Sequence, residues 1–395
     1  MYHGFGMERL IKKFENKLLR QELVGTGDVL IGARDCTTCW NDDSHPVRHM
    51  IDPVFAGINC NSVLYALPAE PYRTIISYLV EKSTGGRILP RDSETRTFLH
   101  ELPVIGKMSP ESIIEKLRCR KCVITPDGGI VTFGTVSPEQ AFVTYSSVCF
   151  AAFVKYFDDY RNSVRTGAAT ATDERMFHTV CETVRNVPGC NNVTLMKGPF
   201  SAEKDVLSAI DEAGRFTVSY GLVDSYFGNI SYCMEDTLYI SQTGSSLDEL
   251  TGNLVDPCPL DGSSCVGMTA SSELPTHYAI VTGSEVRCVL HGHPRFSVIE
   301  SMDCTEVNCP HRGRCHIFCP KSRTIGDIPI VSGEIGAGRR GLCTTVPAAL
   351  NRAQGVIVYG HGVFTTGTKD FNEAFRSLVS IERFCHDHYF STVHH

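Results

Sequence analysis

Apolar residues recur along this chain with two different periods, and the periods predict its elements. Val286 to Leu290 (VRCVL) and Gly355 to Tyr359 (GVIVY) are short runs of strand length, rich in β-branched residues. Phe142 to Tyr160 and Phe375 to Phe390 carry aromatic and apolar residues at helical spacing. Leu274-Pro275 suits the first turn of a helix, and Asp173 to Val187 reads as another. Strands interleaved with helices imply an α/β protein whose sheets are flanked by helices.

The pattern also repeats. Cys122 to Phe142 (CVITPDGGIVTFGTVSPEQAF) aligns without a gap with Gly355 to Phe375 (GVIVYGHGVFTTGTKDFNEAF) at an offset of 233, and 8 of the 21 positions are identical. Both segments then enter a helical stretch. Shorter matches extend the repeat upstream: Leu102-Pro103-Val104 against Ile328-Pro329-Ile330 at 226, and Leu89 to Asp92 against Leu290 to His293 at 201. Their order is consistent, and the change of offset places about 25 additional residues in the second copy between His293 and Pro329. The reading is two domains, 1–165 and 201–395, joined by a linker and helix at 166–200 that opens on the small, polar run Thr166 to Thr172 (TGAATAT).

A chain of 395 residues is long for one core, which agrees with two domains, and 21% charged against 42% hydrophobic residues is the balance of a soluble globular protein. The 37 basic and 44 acidic residues give a formal charge of −7, with no basic block of the kind that binds nucleic acid. No run has the length of a membrane span, and the start (MYHGFGMERL) lacks the apolar core of a secretory signal. Neither nucleic acid nor membrane is therefore expected as a partner, and the location is expected to be cytoplasmic. There, 18 cysteines argue for thiols or metal ligands before disulfides.

Both strand-like runs near the end of the chain lead into histidine. His291 and His293 (HGH) are two residues apart, so a strand delivers them to one side, and His361 follows the second run. Three imidazoles with an exchangeable fourth ligand have the composition of a catalytic zinc site, and Glu273, in a Ser-Ser-Glu run, can supply the fourth.

From Gly228 the order Gly-Asn-Ile-Ser, Thr-Gly-Ser-Ser (Thr243 to Ser246), Ser-Ser-Glu (Ser271 to Glu273), His-Gly-His and His361 resembles the class II aldolase/adducin family. The member type it most resembles is the zinc-dependent fuculose-phosphate aldolase, over roughly the last 195 residues. The resemblance implies zinc held by His291, His293 and His361, with Glu273 both resting ligand and base. It makes Gly228, Asn229, Thr243, Gly244, Ser271 and Ser272 the pocket of a substrate phosphate, and Tyr389 a group that helps protonate the product's oxygen. It further implies two tandem class II aldolase-like three-layer α/β/α domains, the first degenerate, with Pro90, Asp92 and Gly128 where the second carries its histidines. Because family enzymes are commonly ring-shaped homotetramers, the chain is expected to form a homo-oligomer, a dimer building a pseudo-tetramer.

The expected activity is that of a zinc-dependent lyase, cleaving or forming an aldol bond in a small phosphorylated ketose or related hydroxy-carbonyl compound. Its enediolate needs an electrophile, which a divalent cation supplies, and a carboxylate to move a proton. Two alternatives stay open: a metal-dependent decarboxylase or sugar-phosphate epimerase on the same scaffold, and a non-enzymatic adducin-like interaction module. Arg339 and Arg340, in a glycine-rich segment, are either a carboxylate or distal phosphate contact or a solvated loop. His277, four residues after Glu273, is expected to pack or hydrogen-bond so as to orient the site.

The additional residues, at about 301–325, carry Cys304, Cys309, Cys315 and Cys319, which are open to a second structural zinc, an iron-sulfur cluster or free thiols. The pairs Cys36/Cys39 and Cys119/Cys122 leave the same choice between ligands and thiols.

Overall fold

A computed structural model describes residues 4–224, 226–263, 269–306, 308–336 and 338–393. The chain forms two compact units, Met1–Arg185 and Asn186–His395. The first ends later than the polar run at 166–172 predicts, because the helix Ala171–Cys181 belongs to it. Phe177 of that helix is buried and stacks on Tyr160 with ring centroids 3.9 Å apart, and Asp173 accepts a hydrogen bond from the Tyr78 hydroxyl at 2.7 Å.

The first unit is built on a five-stranded antiparallel sheet in the order Thr38–Trp40, Val24–Arg34, Ser62–Pro68, Ile130–Gly134, Cys122–Ile124. One face, with Leu30, Val63, Tyr65, Val123 and Val131, packs on short helices through Ile51, Val54, Ile113 and Leu117. Thr132 points the other way from Val131, and its hydroxyl donates to the Ala141 carbonyl of the long helix Pro138–Arg165.

The second unit carries an eight-stranded sheet in the order Val255–Pro259, Thr237–Ser241, Asn229–Met234, Cys288–Gly292, Gly362–Gly367, Gly355–Val358, Ile328–Val331, Arg323–Ile325. Every neighbouring pair is antiparallel except Ile328–Val331 with Gly355–Val358. Strand alternation sorts its two faces. Val289, Val356, Val358 and Phe364 pack with Ile280 and Val281 of the helix Leu274–Thr282 and with Leu342 and Val346 of the helix Leu342–Leu350. The opposite face meets the long helix Phe371–Val393, where a side chain at Gly292 would touch Leu378 and one at Gly355 would touch Ile381. This unit is therefore a three-layer α/β/α arrangement with the Cys288–Gly292 strand near its middle.

The 233-residue interval recurs as backbone register. The Cys122–Ile124 and Ile130–Gly134 hairpin leads into the helix at Pro138, and the Gly355–Val358 and Gly362–Gly367 hairpin leads into the helix at Phe371. Val104 bridges Ile124 in parallel as Ile330 pairs with Ile357. The 201-residue alignment does not survive. Ser62 lies opposite Gly134 as Cys288 lies opposite Gly367, so Tyr65, opposite Val131, corresponds to His291, opposite Phe364. Pro90 and Asp92 are instead placed after the strand Arg87–Ile88, where Asp92 caps the helix Ser93–Leu99 by accepting from Thr95 N at 2.7 Å. That four-residue match rested on a single shared leucine, whereas a register rests on a ladder of hydrogen bonds.

Candidate metal centre

The Cys288–Gly292 strand is buried at all five positions and is paired on both sides, so its end is fixed within the second unit. It carries His291, then turns through His293 and Pro294 into the helix Arg295–Met302. Glu382 of the long C-terminal helix accepts from Phe296 N and Ser297 N, each at 2.8 Å, and from Ser297 Oγ at 2.7 Å, tying down the first turn after His293. His361 comes from the turn between the last two strands, where Gly360 N donates to Ser301 Oγ at 2.8 Å.

These elements bring the three imidazoles together. One ligand nitrogen from each of His291, His293 and His361 lies within 4.8 Å of the others, and all three residues are buried. His291 Nδ1 donates to the Val363 carbonyl at 3.0 Å, which leaves its Nε2 lone pair facing inward, 3.0 Å from His293 Nε2. Burial pushes the His291 imidazole down to about 3 and that of His293 well below the usual histidine range, so both are neutral. The Glu273 carboxylate stands beside them, Oε2 at 3.4 Å from His291 Nε2 and Oε1 at 3.8 Å from His361 Nε2.

This donor set fits a divalent cation. Two bare imidazole nitrogens 3.0 Å apart share one proton at best, whereas a cation gives each lone pair its own partner, and a buried carboxylate balances the charge. Two glycines make the approach possible. A Cβ at Gly362 would lie 2.4 Å from the Gly292 carbonyl oxygen, and one at Gly228, where φ is +76°, would lie 2.4 Å from that of His291.

Behind Glu273 runs a buried hydrogen-bonded chain. Asn229 Nδ2 donates to Glu273 Oε2 at 2.6 Å, His277 Nε2 lies 2.5 Å from Asn229 Oδ1, and Ser231 Oγ lies 2.7 Å from His277 Nδ1. His277, four residues after Glu273, thus hydrogen-bonds within a chain that ends on that carboxylate. The Asn229 side chain is engaged with Glu273, and strand register sets this residue opposite His291. Ser231 went unread in the sequence, although Asn-x-Ser on one strand places both side chains on one face.

Four of the residues expected in the pocket lie on neighbouring segments. Gln242 bridges Ala270, Thr243 N donates to Thr269 O at 2.9 Å, and Ser271 N donates to Ser241 O at 3.0 Å. The turn at Thr243 and Gly244 therefore lies along Ser271 and Ser272, with Thr243, Gly244 and Ser272 exposed on one rim.

One other expectation is corrected, and two open choices meet the following surroundings. Tyr389 is fully buried inside its own unit, its ring 5.5 Å from that of Phe296, which withdraws it from any role at a neighbour's metal. Arg340 lies over the Phe318 ring at 5.0 Å and Arg339 is exposed, so both belong to a surface loop beside the cysteine-rich segment. Among the described residues the histidines are the one group with metal-ligand spacing. Cys304, Cys309, Cys315 and Cys319 are free of disulfides, and Cys315 lies near enough to Cys319 and Cys304 for their charges to act on it.

The family profile of the class II aldolase and adducin N-terminal domain matches residues 208–389. A curated relative, 3,4-dihydroxyphthalate decarboxylase from Terrabacter sp., is 26% identical over 197 residues, which are 47% of this chain and 80% of that protein. Among solved structures, L-fuculose-1-phosphate aldolase from Thermus thermophilus aligns at 20% identity and a TM-score of 0.39, over 47% of this chain and 93% of that one. An aldolase II superfamily protein from Pseudomonas syringae aligns at 18% identity and 0.37, over 48% and 76%. Residues 208–389, the part that holds the histidines and Glu273, are thus similar to the class II aldolase and adducin family, whose members are mostly metal-dependent enzymes.

Proposed function

We propose that the second unit is a metal-dependent carbon–carbon lyase acting on a small hydroxy acid or hydroxy-carbonyl compound. The observation that carries this reading is the set of three buried imidazole nitrogens within 4.8 Å of one another, with the Glu273 carboxylate alongside. A divalent cation, zinc by the nature of the donors, would be held by His291, His293 and His361 and would supply the Lewis acidity that stabilises negative charge on a substrate oxygen. Glu273 is the group placed to move a proton, and the rim of Thr243, Gly244, Ser271 and Ser272 is the place for a substrate anion.

Within this class, decarboxylation is favoured over aldol cleavage. Tyr389 is buried away from the product-protonating role that aldol cleavage assigns it, Asn229 is engaged with Glu273, and the curated relative is named a decarboxylase. In that reaction the bond to the carboxyl carbon breaks, carbon dioxide leaves, and the electron pair left on carbon takes up a proton.

The first unit is proposed to be a diverged copy that carries no metal, on the strength of its matching hairpin register, with Tyr65 at the position of His291. One experiment addresses both readings. Purified full-length protein is analysed for bound metal, then incubated with dihydroxylated aromatic acids and, separately, with phosphorylated ketoses, and released carbon dioxide and aldehyde are measured. One metal per chain, lost in His291→Ala, and carbon dioxide release lost in Glu273→Gln are expected. Aldehyde from a ketose phosphate would replace decarboxylation by aldol cleavage. A second metal that survives in His291→Ala would overturn the metal-free first copy, and normal turnover by Glu273→Gln would remove that carboxylate from the chemistry.

A further inference from the structure

The hydrogen bonds behind Glu273 have one self-consistent direction. An ionised carboxylate only accepts, so Asn229 presents its amide N–H to Glu273 Oε2 and turns its carbonyl toward His277. That carbonyl also only accepts, so His277 carries its proton on Nε2, and its bare Nδ1 takes the hydroxyl proton of Ser231. Both ring nitrogens of His277 are thereby engaged, which removes it from metal ligation. All four side chains are at most 6% exposed, so bulk water does not compete for these bonds.

We propose that Asn229, His277 and Ser231 are positioning residues, a chain of neutral groups that holds the Glu273 carboxylate in one orientation toward the histidines. The proposal rests on the reading of His291, His293 and His361 as metal ligands. The anchoring is strong because each member comes from a fixed element. Asn229 and Ser231 share one face of a central strand, and Glu273 and His277 stand four residues apart at the start of one helix. Asn229 sits opposite His291 in the sheet, so the ladder that places the histidine also places the donor to Glu273. A buried carboxylate without such a donor bears its full desolvation cost and rotates freely; here Oε2 is held, and Oε1 faces His361. Asn229 commits both ends of its amide to this chain.

The test uses the full-length protein, stripped of metal by a chelator and titrated with Co2+, whose visible absorption reports the ligands around it. His277→Leu is expected to weaken Co2+ binding by about 10- to 100-fold and to shift the band toward that of Glu273→Gln. His277→Gln, which keeps an N–H for the Asn229 carbonyl, is expected to stay within a few-fold of the unsubstituted chain. Unchanged affinity and band shape in His277→Leu would overturn the proposal and leave the metal site standing. If His277→Leu does not fold, Ser231→Ala takes its place: several-fold weaker binding with a shifted band supports the chain, and unaltered binding overturns it. Absence of any Co2+ band in the unsubstituted protein would overturn the metal reading, and the positioning role with it.

Discussion

A methyl group at position 362 would stand 2.4 Å from the Gly292 carbonyl oxygen and 2.8 Å from ring carbons of both His291 and His293. The backbone of the histidine strand cannot give way, since it is paired on both sides, so the rings must move. Gly362→Ala is therefore expected to cost about 1–3 kcal/mol of stability and to lower metal content. Denaturant unfolding and metal analysis check this, and a variant with full metal content and unchanged stability would refute it. At this scale the sequence is legible where chemistry is local. Histidines two apart on a strand share a side, and a histidine four after a glutamate shares a helix face. It did not show that the Asn229 side chain reaches Glu273, which the register decides.

Among elements, the tie between the C-terminal helix and the helix that follows His293 runs through one buried carboxyl group. Glu382 accepts three hydrogen bonds there, yet burial outweighs them and pushes its pKa from 4.5 up to about 7. A carboxyl group whose pKa is raised on folding stabilises below its unfolded value, and this contribution is lost as pH rises through the folded one. Relative to Glu382→Gln, the wild-type protein is thus expected to lose up to about 3 kcal/mol as pH rises from 4.5 to about 7, with no further change above. Parallel denaturant titrations of the two proteins across that range measure the difference, and a difference independent of pH would show that Glu382 keeps an ordinary pKa. The elements themselves were largely readable, including the final hairpin and both long helices. The cysteine-rich segment was not, because a loop without regular structure gives spacing alone no geometry to act through.

For the molecule, the described residues hold one histidine set, in the second of two compact units, so a bound metal is expected to act on that unit's stability. With free metal at 100 times its Kd, binding adds about 2.7 kcal/mol to whatever unfolding disrupts the site. Chelation is expected to speed amide exchange around Leu290 and Phe364, which flank the site, and to leave Leu64 and Val131 of the first sheet unaltered. Equal acceleration in both sheets would contradict this, as would acceleration in neither. No helix among the described residues is long and apolar enough to cross a membrane.

The sequence by itself determined what depends on near neighbours: strand and helix periods, the hairpin repeated at 233 residues, and the presence of three histidines and a glutamate in the order of a known family. Tertiary structure decided what depends on which strand lies beside which. It paired Tyr65 with Val131 and His291 with Phe364, buried Tyr389 against Phe296, and gave the Asn229 side chain to Glu273. The physical reason is one of range. A side chain's direction follows from its own backbone period, but its partner is fixed by hydrogen-bond ladders and packing that join residues tens to hundreds of positions apart, and no local pattern encodes those.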